Sequence, residues 1–350
     1  MDLRLSNFIA SLPKHRVDAF LVTKDINIAY LTRFPAQESW LLVSRRGCFY
    51  ITDFRYVLEA RQGLKAVKIK PYTKSIYLTL AELTQTLKIK KLGFDSRHLN
   101  VAQYEALKKH CPKEIKMIAV NQAVENLREI KDSHEIEKIR QALKIHKQAF
   151  HFFKSSLKPG ISERELFLKL EQFVRCQEVA FSFPPIIASG PNSCYPHAKI
   201  TDRKIRSDDL VLLDMGIDVQ GYKSDLTRIF FLGKIPQPIE KVNSYVREAQ
   251  HKAIEKIKAG ISAAELDRIA RNSFKKHKLD KFFGHALGHG IGLEVHESPR
   301  LSQNNPTLLR EGMIVTVEPA VYIPNKFGIR IEDMVLVKKE NCEVLSGNIN

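Results

Sequence analysis

Short apolar and β-branched runs recur over the first 125 residues, at 18–23, 40–44, 48–52, 67–70, 91–94 and 115–120. Runs of this length predict strands. Between several of them lie helix-like stretches, at 54–62, 76–87 and 101–110. The segment WLLVS-RRG-CFYIT (40–52) predicts a hairpin with a three-residue loop closed by Gly47. Alternation of this kind predicts an α/β domain with a mixed sheet. Nothing in it resembles a complete active site.

The period changes after residue 125. Asp132 followed by Glu135 predicts a capping box that opens a long helix. Ile136, Ile139, Leu143, Ala149 and Phe153 supply its apolar stripe, and Lys158, Pro159 and Gly160 close it. The pattern K-x-G-I-S-x-x-E-L at 158–166 returns at 258–266, an offset of 100 residues. Physically it reads as helix stop, turn, serine cap and new helix. Each copy precedes a predicted β-hairpin, 209–216 with 224–232 and then 313–323 with 328–338. The expected fold class is therefore α+β: a domain over 1–125, a linker near 125–131, and a second domain over 126–350 made of two similar α-α-β-β halves.

Composition narrows this little. With 44% apolar and 27% charged residues, the 350-residue chain has an ordinary globular balance. No apolar run is long enough for a membrane span or a secretory leader. Cys48, Cys111, Cys176, Cys194 and Cys342 are odd in number and scattered, without metal-finger spacing, which points to free thiols in the cytoplasm. The net charge of +17 is spread along the chain, often at helical spacing, and no nucleic-acid-reading motif accompanies it. Solvated helix faces account for it, and neither a nucleic acid nor a membrane is the expected partner.

Chemistry concentrates in the two late hairpins. Asp214 lies in an apolar strand with Asp225 eleven residues on, and Glu318 and Glu332 are fourteen apart across a turn containing Pro324, Asn325 and Gly328. These spacings can bring each pair onto neighbouring strands and one face. An ionised carboxylate within an apolar strand is unfavourable unless it is paired or meets a cation, so four of them point to metal binding. GHALGHGIGLEVHES (284–298) adds His285, His289 and His296. Its glycines make it a poor helix, it lacks the H-E-x-x-H order, and it is no dinucleotide loop. A strand-like, glycine-opened segment suits a site that backbone must approach closely.

These residues resemble the pita-bread metallopeptidases, which include aminopeptidase P, prolidase, methionine aminopeptidase and, without metals, creatinase. SGPNSCYPHA (189–198), DMG with SDLTR, GHGIGLEVHE, VEP and GIRIED carry the likeness. DAFLVTKDINIAYLTRF, ITDFRYVLEA and ENLREIKDSHEIEKIR extend it through a creatinase-like first domain and the linker. The resemblance implies a metal ligand set of Asp214, Asp225, His289, Glu318 and Glu332, holding two divalent ions per subunit. Such ligands suit manganese first, with cobalt, iron or zinc as alternatives. It implies hydrolysis of the bond before proline in dipeptides or at peptide N-termini, in a homodimer acting on proline-containing peptides. It further implies Glu318 as proton shuttle, His197 and His296 beside the substrate and the tetrahedral oxyanion, and His285 at the proline pocket. Arg330 would bind a substrate carboxylate or tie down a ligand carboxylate through its fork of donors.

Arg33 and Ala320 stand where the family usually has glycine, which bears on substrate fit. A non-catalytic binding module or a creatinase-like amidinohydrolase would lack these ligands. A methionine aminopeptidase would act without proline and generally lacks the first domain.

Overall fold

A computed structural model describes residues 3–347 and 349. The chain divides into two units, Met1–Arg128 and Glu129–Asn350. The first contains α1 (Leu3–Ser11), β1 (Ala19–Val22), α2 (Asp25–Thr32), β2 (Trp40–Ser44), β3 (Gly47–Thr52), α3 (Val57–Gly63), β4 (Lys68–Pro71), α4 (Ile76–Thr86), β5 (Lys91–Phe94), α5 (Val101–His110), β6 (Lys116–Ala119) and α6 (Glu125–Arg128). Its six strands form one sheet in the order β4-β3-β2-β1-β5-β6. Pairing is antiparallel among β1, β2 and β3 and parallel elsewhere, so the sheet is mixed.

Leu21, Leu42, Ile51, Leu80 and Leu92 meet in the core of this unit. Fully burying a side chain of this size stabilises by about 1.5–3 kcal/mol. Trp40 belongs to the same core, edge-on to Tyr77. The β2–β3 turn is tighter than the three-residue loop expected from the sequence. Gly47 pairs with Ser44 and is already strand, leaving only Arg45 and Arg46 in the turn. Helices α1 and α2 had no counterpart among the predicted elements. Arg33 closes α2 in the left-handed region at φ 56°, with its N–H on Ala29 O, a conformation that favours glycine.

The second unit begins with α7 (Ser133–Ser156), α8 (Glu163–Cys176), β7 (Ala180–Phe181), β8 (Ile186–Ser189), β9 (Leu210–Met215), β10 (Ile217–Val219), β11 (Tyr222–Lys223) and β12 (Leu226–Phe231). It continues with α9 (Gln237–Ile254), α10 (Ala263–Lys276), β13 (Gly288–Gly290), β14 (Glu297–Leu301), β15 (Ile314–Val317), β16 (Ala320–Ile323), β17 (Phe327–Arg330), β18 (Asp333–Val337) and β19 (Cys342–Val344). The capping box on α7 forms as read, Asp132 accepting from Glu135 N and Glu135 from Asp132 N.

The repeat is structural as well as textual. Gly160 N bonds Ile205 O and Gly260 N bonds Leu309 O, both at 2.8 Å. The two glycines have φ +87° and +91°. Ser162 and Ser262 cap the helices that follow, accepting from Glu165 N and Glu265 N.

Each long hairpin, expected to run unbroken, instead changes sheet part-way. In the first half β9 pairs β12 beside β8, while β10 and β11 pass to a separate sheet with β7. In the second, β15 pairs β18 within a five-stranded sheet, while β16 and β17 form their own two-stranded sheet. The breaks fall at Gly216 and Ser224–Asp225 in one hairpin, and at Glu318–Pro319 and Ile331–Glu332 in the other. Pro319 lacks the N–H that would continue a ladder. Asp225, Glu318 and Glu332 lie at the breaks, and Asp214 lies two residues before Gly216.

Candidate active site

The register explains how the acids meet. Asp214 pairs with Thr227 across β9 and β12, which sets Asp225 two residues back along the partner strand, on the same face. Val317 pairs with Asp333 across β15 and β18, so Glu318 and Glu332 leave that ladder side by side. His289 sits in β13, next to β15. Its neighbours have no room for a side chain: a Cβ on Gly288 would lie 2.0 Å from Thr316 O, and one on Gly290 2.2 Å from Ser298 O. That close approach lets His289 N bond Thr316 Oγ1 at 3.1 Å.

Asp214, Asp225, His289 and Glu332 are each 8% exposed or less, and Glu318 is partly open. Ligand atoms of Asp225, His289 and Glu332 lie within 4.8 Å of one another. His289 Nε2 is 3.7 Å from Asp225 Oδ2 and 3.4 Å from Glu318 Oε1. His289 Nδ1 lies 3.0 Å from Gly290 O; if it donates there, the Nε2 lone pair faces the acids.

Electrostatics show what the cluster favours. Burial, then the charges of Glu332, Asp214 and Glu318, push the Asp225 carboxyl well above the usual range. Glu332 is raised in the same way by burial, Glu318 and Asp214. Glu318 is pushed up to about 8, mainly by burial, with Arg330 opposing. Burial, followed by the charge of His296, holds His289 down to about 4, so its imidazole is neutral near pH 7. Asp214 Oδ1 is buried and receives no hydrogen bond among the described residues. Crowded buried carboxylates, an orphaned oxygen and a neutral imidazole form a donor set that fits divalent cations, whose charge removes the repulsion.

Arg330 is buried against this cluster. It donates to Asp214 Oδ2 and to the Tyr322 hydroxyl, to Thr227 Oγ1 at 3.0 Å, and to Pro196 O at 3.2 Å. His285 lies 3.4 Å from the Tyr322 hydroxyl through Nε2, and burial lowers it to about 4. His296 packs edge-on against His289, ring centroids 4.4 Å apart. His197 is exposed, and its charge is among the causes that lower both His285 and His296.

Several contributors were not singled out from the sequence. Thr227 bridges Arg330 to Glu332 Oε2, bonding the latter at 2.9 Å, and its place in SDLTR beside Asp225 was the available signal. Tyr322 had only a hydrophobic strand as context. Glu163 is wholly buried and accepts from Ser189 N and Oγ, Asn192 Nδ2, and Thr201 N and Oγ1, at 2.7–3.0 Å. It fixes the loop that carries His197. In the first unit Asp95, His98 and Glu125 also converge. Arg97 already fills that cluster, 2.7 Å from Asp95 and 3.2 Å from Glu125.

Residues 137–339 match Metallopeptidase family M24, and residues 4–130 match the Creatinase/Prolidase N-terminal domain. The chain belongs to metallopeptidase family M24. The fold of this M24 hydrolase is similar to that of an Xaa-Pro dipeptidase from Bacillus anthracis, with TM-score 0.94, 35% identity, and 98% and 97% of the two chains covered. An X-Pro aminopeptidase from Thermotoga maritima gives TM-score 0.90 at 32% identity, covering 98% of this chain and 97% of that one. In sequence the M24 chain is 35% identical over 351 residues to an Xaa-Pro dipeptidase of Pyrococcus horikoshii, spanning 99% of this chain and 97% of the relative. Family M24 implies divalent metal ions, and the buried acids and imidazole of the second unit offer the groups to receive them.

Proposed function

We propose that this M24 hydrolase cleaves the Xaa-Pro peptide bond, with Xaa-Pro dipeptides as its preferred substrates. The observation that carries the reading is the convergence of Asp225, His289 and Glu332, with Glu318 3.4 Å from His289 and a buried oxygen of Asp214 that receives no hydrogen bond among the described residues. Relatives of nearly the same length named Xaa-Pro dipeptidase support the substrate. We assign the chemistry to the second unit and these five residues to the metals, with manganese as the first candidate because most donors are hard carboxylate oxygens. Bound there, two divalent cations would polarise the scissile carbonyl and activate a water.

The chain's own residues would do the rest. Glu318 is the least buried of the four acids, which suits it to take a proton from the water and pass it to the prolyl nitrogen. His296 and His197 would hold the substrate and the developing oxyanion. His285, with Phe283 and Tyr322 beside it, would border the proline ring. Arg330, its donors turned to Asp214, Thr227 and Tyr322, would orient the acids rather than meet a substrate carboxylate. A ring-fitting site is needed because the prolyl amide has no N–H for recognition. All five cysteines are free, which supports a reducing cytoplasm, and a homodimer is part of the proposal.

The test strips metal from the protein, restores manganese or cobalt, and compares Xaa-Pro dipeptides with Xaa-Pro-Xaa tripeptides. The expected result is metal-dependent release of the first residue, faster from dipeptides. Preference for tripeptides would make the chain an Xaa-Pro aminopeptidase. Cleavage of neither, with metal bound, would remove the proline-peptidase reading.

A further inference from the structure

The segment after α10 brings His285 to the site without helix or strand of its own. Between the short 3-10 turn at Asp280–Phe282 and β13 the backbone passes through Phe283, Gly284, His285, Ala286 and Leu287. Gly284 is exposed, and a Cβ there would meet nothing within 4 Å. Packing around Gly284 does not fix this stretch.

Two side chains one turn apart on α10 do. Asp267 is wholly buried and accepts from Arg271 Nε at 2.6 Å and from Leu287 N at 3.0 Å. Arg271 donates through Nη1 to Phe283 O at 2.9 Å and through Nη2 to His285 O at 2.6 Å. Its guanidinium also lies over the Phe283 ring, 4.5 Å from the centroid. The pair thus holds the segment at residues 283, 285 and 287. Leu287 O accepts from Glu318 N at 2.8 Å, so the far end of the segment is tied to an acid of the cluster.

A buried aspartate paired with a planar fork that meets two carbonyls positions backbone strongly, because removing either member leaves the other buried without its partner. We propose that Asp267 and Arg271 are positioning residues that set His285 and Phe283 against the ring of the substrate, and so determine the preference for proline over an acyclic residue. The inference rests on the Xaa-Pro reading above. His285 shares its other edge with Tyr322. A shift of its backbone would widen the space for the ring, while the Leu287 O–Glu318 N bond holds the far end of the segment in place.

The experiment measures kcat and KM for an Xaa-Pro and an Xaa-Ala dipeptide with the manganese-loaded protein, its Arg271→Ala and Arg271→Lys variants, and Asp267→Asn. Arg271→Ala is expected to lower the ratio of kcat/KM for proline over alanine about tenfold. The change should fall mainly in KM for the proline substrate, with bound manganese unchanged. Arg271→Lys, which reaches a carbonyl but lacks the fork, should recover part of the ratio. Should Arg271→Ala fail to fold, Asp267→Asn reads the same ratio while keeping an acceptor for Leu287 N. A ratio that stays within about twofold of the parent's, or an equal loss of kcat on both substrates, would overturn the proposal. Absence of Xaa-Pro cleavage by the parent itself would instead count against the functional reading.

Discussion

His146 is a buried residue whose environment makes a measurable demand. It lies on α7, wholly buried, with Nδ1 3.0 Å from Ser224 Oγ next to Asp225. Burial, then the charge of Arg228, lowers it from 6.5 to about 3. Folded His146 therefore stays neutral to about pH 3, whereas the unfolded imidazole takes up a proton near 6.5. Its contribution to stability is complete above pH 6.5 and is lost as pH falls toward 3, by up to about 1.4 kcal/mol per pH unit. Denaturant unfolding at pH 7, 5.5 and 4.5 is expected to show a shallower decline in His146→Gln than in the parent chain. Parallel declines would show that His146 is protonated in the folded protein.

At the same scale, residues with a chemical motif around them were legible and those that only hold others were not. Asp214, Asp225, Glu318 and Glu332 stand out because a charge in an apolar strand demands a reason. Asp267 and Glu163 sit in amphipathic helices, where an acid looks like an ordinary surface residue until the loop folded over it is seen.

Elements followed the same division. Strands with β-branched alternation and helices with serine, asparagine or aspartate caps could be read directly. Helix α2 could not, because Asn27, Ile28, Tyr30 and Leu31 are all buried and leave no one-sided stripe. The breaks in the long hairpins escaped for another reason. A strand that changes sheet keeps its apolar character throughout, and only Pro319 and Gly216 hinted at the switch. The glycines of β13 give the test at this scale. In Gly288→Ala the new Cβ would meet Thr316 O, on the strand that orients His289. Forcing the strands apart is expected to destabilise by about 3 kcal/mol and abolish peptidase activity. Near-normal stability in a thermal melt would contradict the close approach.

For the whole molecule, the acid cluster is expected to tie stability to metal. Cations that bind the folded second unit stabilise it by mass action, by about 2.7 kcal/mol at one hundred times the dissociation constant. For a unit of this size that corresponds to about 5–10 °C in the unfolding midpoint. Calorimetry should show the drop on chelation and its recovery with manganese. An unmoved midpoint would mean that the acids do not hold cations. No helix among the described residues is long and apolar enough to cross a membrane.

The internal repeat has a bearing on ancestry. A duplicated segment supplies its chemistry in pairs, and the acids come in pairs, two from each hairpin. The imidazole does not. Strand β8 lies beside β9 as β13 lies beside β15, yet it sets Ile186 opposite Asp214 where the second half brings His289 to its acids. The acids fall two to each half and the imidazole to one, so the two halves, alike in backbone, are not interchangeable in chemistry.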